Sequence, residues 1–147
     1  MKKKTIYILS LVIILLVCTI VYFKPLSLSN LVSEDSLINM IFNEYVIKNG
    51  EPDLEAVEYK DITAEQKNAL LPILEKYTYR RTLCTLFSNG SMSGTGNKTL
   101  TIYVFDNNSD SIFVTSLDKI VVNNKNYRME NSGQFMEQII EIMEQAK

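Results

Sequence analysis

Histidine is absent from this 147-residue chain, and so is tryptophan. The first absence removes Ser–His and Cys–His nucleophile activation, together with the commonest general base and zinc ligand. Cysteine is nearly absent too. Cys18 falls inside an apolar run, so Cys84 is left without a partner for an intramolecular disulfide, and the rest of the chain must be held by packing. Cys84 reads as a small buried hydrophobe on a strand. Cationic charge is scarce beyond the N-terminus: four of fifteen Lys and Arg lie at or before Lys24, leaving eleven against seventeen Asp and Glu. A domain of net charge about minus six has no electrostatic footprint for nucleic acid.

Glycines number five, and three of them fall in "SNGSMSGTGNKT", residues 88–99, which resembles a phosphate-binding loop. A Walker loop closing on Lys98-Thr99 needs glycine where Asn97 and Met92 stand, and it must open a helix, whereas "KTLTIYVF" alternates as a strand. A Gly/Ser-rich connection between strands accounts for the same letters. "DNNSDSIFVTSL", residues 106–117, begins like a calcium loop with Asp106, Asn108 and Asp110. It then places Ser111 where glycine belongs and Leu117 where a bidentate glutamate belongs. The carboxylates otherwise cluster in "EPDLEAVE" and on helix faces, with no apolar pocket implied around any pair. No catalytic residue, cofactor site or metal site is expected, and the chain reads as a non-enzyme. Arg80 and Arg81, adjacent on a predicted strand, point to opposite faces, each toward a neighbouring glutamate. Sequons at Asn89, Asn97 and Asn107 fall in predicted loops and matter where exported chains are glycosylated.

What the chain does contain is a long hydrophobic run. Three lysines precede residues 5–23, nineteen positions without a charge, and Lys24-Pro25 closes the run. At about 1.5 Å per residue this is roughly 28 Å of helix, close to the hydrocarbon thickness of a bilayer. A cleaved secretory signal has a shorter core, and its one plausible exit here is Ser27-Leu28-Ser29. A lipid-modified Cys18 is disfavoured by Val17 before it and by the apolar residues after it. A signal anchor through residues 5–23 is the expectation, with Tyr7, Tyr22 and Phe23 near the interfaces and the basic end cytoplasmic. The domain organisation follows: 1–24 basic start and anchor, 25–35 Ser-rich juxtamembrane spacer, 36–147 extracytoplasmic domain.

Within that domain "SLINMIFNEYVIKNG" alternates as a strand, and "EPDLEAVEYKDI" reads as an acidic turn with a short alternating piece. Thr63 to Gln66 form a capping box opening a helix with Leu70, Ile73, Leu74 and Tyr77 on one stripe, kinked at Pro72. "YTYRRTLCTLF", "TLTIYVF" and "SIFVTSL" carry period two and are apolar on both faces, as inner strands are. "KIVVNNKNYRM" reads as a hairpin on Asn123-Asn124. Phe135, Met136, Ile139, Ile140 and Met143 mark an amphipathic last helix, capped at Asn131 or Ser132. The fold class is α+β: a transmembrane helix, then an antiparallel sheet with two amphipathic helices packed on it.

This layout, ending in "YRMENSGQFMEQIIEIM", resembles the small single-pass membrane-anchored proteins of Gram-positive bacteria. The resemblance is architectural, rests on no diagnostic motif, and implies an extracytoplasmic domain without assigning a site. The functional expectation is a non-catalytic tethered domain that acts through contact with a membrane or cell-surface protein. The alternative is a domain that senses a small ligand or cell-wall fragment on an aromatic sheet face formed by Tyr79, Tyr103 and Phe113.

Overall fold

A computed structural model describes residues 3–33, 35–60, 62–106 and 110–145. Residues 107–109, and with them part of the calcium-loop-like pattern and one sequon, lie outside the described residues. The chain is α+β, with three α-helices and one antiparallel eight-stranded sheet among the described residues.

Helix α1, Lys3–Tyr22, carries apolar residues around its whole circumference, and nearly all of its described side chains are exposed. Pro25, with no N–H to donate, bars its continuation. On the described side chains, which in α1 run unbroken over residues 6–22, no helix is long and apolar enough to cross a membrane.

The stretch expected to be a loose spacer is structured instead. Leu26–Ser27 forms β1 against β4, Thr78–Arg80. A 3₁₀ turn, Leu28–Leu31, follows, capped by the Ser27 hydroxyl. Leu28 is fully buried and Val32 nearly so, because the leucines scattered among the serines give this stretch an apolar side to dock.

Strands β2, Leu37–Lys48, and β3, Glu51–Tyr59, form a long hairpin. Its turn is Asn49-Gly50, both at positive φ (54° and 85°), the geometry a two-residue hairpin demands and these two residues supply at least cost. The acidic "EPDLEAVEY" is therefore a full edge strand rather than a turn. Helix α2, Ala64–Lys76, starts at the expected capping box: the Thr63 hydroxyl accepts from Gln66 N–H at 3.2 Å, and the Gln66 side chain accepts from Thr63 N–H at 2.9 Å.

Strand β4 ends at Arg80, so "YTYRRTLCTLF" is not one strand. A second 3₁₀ turn, Leu83–Leu86, replaces its second half, with the Thr85 hydroxyl accepting from Thr82 N–H and donating to the Asn126 carbonyl at 2.6 Å. Those two bonds turn Thr85 inward and expose Cys84, which is thus neither buried nor on a strand. Arg81 bonds the Tyr22 carbonyl and lies over the Tyr22 ring, while Arg80 has no carboxylate partner among the described residues. The expected Arg–Glu pairs are not formed.

Strands β5 (Lys98–Phe105), β6 (Asp110–Thr115), β7 (Lys119–Val122) and β8 (Lys125–Met129) complete the sheet in the order β1-β4-β8-β7-β6-β5-β2-β3, with β7 and β8 joined through Asn123-Asn124 at positive φ. Helix α3, Ser132–Gln145, follows directly, and the Ser132 hydroxyl is tied to the Asp118 carboxylate and backbone.

Register decides what is inside. Ile38, Met40 and Phe42 pair across with Leu100, Ile102 and Val104, which pair with Ile112 and Val114 and on to Ile120 and Val122. All are buried beneath Leu70 and Leu74 of α2 and Phe135, Met136, Ile139 and Met143 of α3. Each such side chain contributes roughly 1.5–3 kcal/mol by leaving water. Both helices lie on this one face.

Candidate functional site

Alternation along a strand sends every second residue to the other side of the sheet, and no helix among the described residues covers that side. From β2 it receives Leu37, Asn39, Ile41, Asn43 and Tyr45; from β5, Thr101, Tyr103 and Phe105; from β6, Ser111 and Phe113. Leu37 stands opposite Phe105, Asn39 opposite Tyr103, and Thr101 between Ile41 and Phe113. Tyr103 and Phe105, two apart on one strand, lie with rings 6.4 Å apart and 22° from parallel. Leu37 is 72%, Phe105 49% and Tyr103 38% exposed, and Phe113 is half-buried.

The Gly/Ser loop bounds this patch on one side. Residues 88–97 lie over β7 and β8, where the Lys119 ammonium donates to the Ser93 and Gly94 carbonyls, Lys125 to the Ser88 carbonyl, and the Asn126 amide to the Ser91 carbonyl at 2.7 Å. Gly90, at φ +82°, passes so close that a Cβ there would meet Asn124 Cα at 3.0 Å. Val121, on the same side of the sheet as Phe113, is buried beneath this loop. Lys119 and Lys125 are engaged by loop carbonyls and Lys98 pairs with Glu44 at 3.4 Å, and β5 rather than a helix follows the loop, so it has the form of a strand connection. The open area of the face is the β2–β5–β6 portion.

Of the three aromatics read as one stripe, the structure brings two together. Phe113 stands opposite Thr101, and Tyr103 is two residues along from Thr101, which makes the two diagonal neighbours. Tyr79 lies on the other side. It is 5% exposed and meets Tyr127 edge-on at 4.9 Å. Its phenol is pushed up to about 12, first by burial, then by the neighbouring Tyr127 phenol and Asp110, with Arg81 opposing. Tyr79 is core because Leu26 and Met129 pair with it and fix its parity.

Two residues extend the patch most: Leu37, which sequence reasoning missed, and Phe105, whose alternation with Tyr103 and Phe113 was legible although it was not named among the contact residues. The alternation of β2 would have found Leu37 once Ile38, Met40 and Phe42 were assigned inward. Past the end of β5 the β2–β3 hairpin continues alone, carrying exposed Tyr45, Ile47 and Leu54, with Lys48 bridging Asp53 and Glu55 near its tip.

A cleft of about 480 Å³ opens between the second 3₁₀ turn, the Gly/Ser loop and β7–β8, lined by Met92, Asp118, Asn126 and Arg128 among others. Among the described residues, Asn126 Oδ1 is the one buried side-chain atom without a hydrogen-bond partner. Among them also, no group of three or more His, Cys, Asp and Glu is placed to hold a metal. In comparison with known proteins, no family model matches this chain, nor does any curated protein or solved structure.

Proposed function

We propose that this protein is a non-catalytic, single-pass membrane-tethered domain, held on the outer side of the membrane, that acts by protein–protein contact through its uncovered sheet face. Support for the tether comes from the uncharged run over residues 5–23 and from α1, whose isoleucines, leucines and valines face outward on every side with no protein to cover them. Water is a poor solvent for such a helix and hydrocarbon a good one. The three lysines before it favour a cytoplasmic N-terminus. The non-catalytic reading is supported by the lack of histidine and by a face whose centre offers rings, aliphatic groups, amides and hydroxyls rather than an acid–base pair.

The observation that carries the contact reading is the exposure of Leu37, Tyr103 and Phe105 as neighbours on one rigid sheet. Contiguous apolar surface of this kind marks interaction sites on folded proteins. A photo-crosslinking residue replacing Tyr103 should give a discrete adduct in native membranes, and the same residue replacing Glu137 on the outer side of α3 should not. The adduct should vanish when Leu37→Ser and Phe105→Ser are added. Equal labelling from both positions, or a serine-insensitive adduct, refutes contact through this face.

One observation favours the ligand-sensing alternative, at a different place. The cleft of about 480 Å³ is lined by Met92, Asp118, Asn126 and Arg128, apolar, polar and charged groups that a small ligand could meet together. Saturable thermal stabilisation by a cell-wall fragment, abolished by Asn126→Ala, would support it.

A further inference from the structure

We propose that residues 83–87 form a second membrane contact, an apolar knob that sits in the lipid interface beside the point where α1 leaves the bilayer. The proposal rests on the reading of α1 as a membrane anchor. In a 3₁₀ turn side chains three apart eclipse, so Leu83 and Leu86 share one edge, and Phe87 follows. Leu83 and Leu86 are exposed, and Phe87 is 90% exposed. Nothing in the domain needs them outside: Thr85, the inward member of the turn, makes the bonds that hold it.

The position of this turn says what covers it. The Tyr22 hydroxyl, at the last residue of α1, donates to the Thr82 carbonyl at 3.3 Å. Arg81 donates to the Tyr22 carbonyl at 3.4 Å, which satisfies an orphan acceptor at the negative end of the helix, and its guanidinium lies 5.6 Å from the centre of the Tyr22 ring. Tyr22 and Phe23 meet edge-on at 5.0 Å. Residues 81–82 are therefore fastened to the end of the apolar helix, and Leu83 is the next residue along. If that end lies among headgroups, as tyrosine, phenylalanine and lysine there favour, residues 83–87 lie at the same depth. A polar knob there would sit comfortably in water; an apolar one is matched to lipid. The contact is hydrophobic in kind, so it needs no anionic lipid and survives salt.

Cys84 gives a built-in reporter. Full-length protein carrying Cys18→Ser, with bimane on Cys84, is reconstituted in phosphatidylcholine vesicles with or without lipid spin-labelled high on its acyl chain. Emission should fall by about half or more with the shallow spin label, at low and high salt alike. Bimane at Asn49→Cys on the hairpin tip, with Cys84→Ser added so that it is the one thiol labelled, should be unaffected. Adding Leu83→Ser, Leu86→Ser and Phe87→Ser should abolish the quenching while the protein stays in the membrane through carbonate washing and keeps its melting temperature. Protein that resists carbonate but shows Cys84 bimane open to aqueous iodide and deaf to the lipid label overturns the knob and leaves the anchor standing. Protein released by carbonate overturns the anchor, and the knob with it.

Discussion

Tyr79 shows how much one side chain's facing matters. Buried between β1 and β8 with its phenol raised to about 12, it is held protonated by the folded state where an unfolded chain would ionise near 10. Its contribution to stability is thus whole below about pH 10 and drains away as pH climbs from there through about 12. Denaturant titrations across that window should show this alkaline loss in the native chain and a flatter curve in Tyr79→Phe. An identical slope in both would mean that Tyr79 ionises in the folded state as it does in water.

At the scale of elements, the two helices and the sheet depend on one another. Phe135 is fully buried and meets Tyr77 edge-on at 5.2 Å, which joins α3 to the end of α2. Phe135→Ala should cost about 3–5 kcal/mol through lost transfer energy and the cavity left behind. Phe105→Ser on the open face should stay within about 0.5 kcal/mol, as surface changes do; urea midpoints compare the two. Helix α3, the capped start of α2 and the Asn123-Asn124 turn were legible because periodicity and turn chemistry are local signals. The Asn49-Gly50 turn was equally legible and passed unread, since the glutamates after it suggested a connector. The break after Arg80 was not legible, because "TLCTLF" alternates as well as a strand does and what ends β4 is the bonding of Thr85 to Asn126, forty-one residues away. Tyr79, Tyr103 and Phe113 could not be sorted by sequence either, since parity within one strand says nothing of parity between strands until their register is known.

For the molecule as a whole, the short stretch after α1 belongs to the domain. A chain beginning at Pro25 keeps β1 and the buried Leu28, whereas one beginning at Ser36 loses both along with Val32. The shorter chain should be less stable by several kcal/mol, and circular-dichroism melts of the two would measure it. Equal melting temperatures would mean that this stretch is dispensable packing.

The strand order puts β1, the continuation of α1, at one margin of the sheet and β3 at the opposite margin. Eight strands at about 4.8 Å spacing make that distance roughly 34 Å, and the link from α1 into β1 is three residues, Phe23 to Pro25, too short to let the domain swing freely. The free β3 margin and the long hairpin thus stand a whole sheet's breadth from the strand that continues α1. If α1 is the membrane anchor proposed above, a partner gripping that margin would be met at this remove by its own folded part, not helix to helix within the lipid.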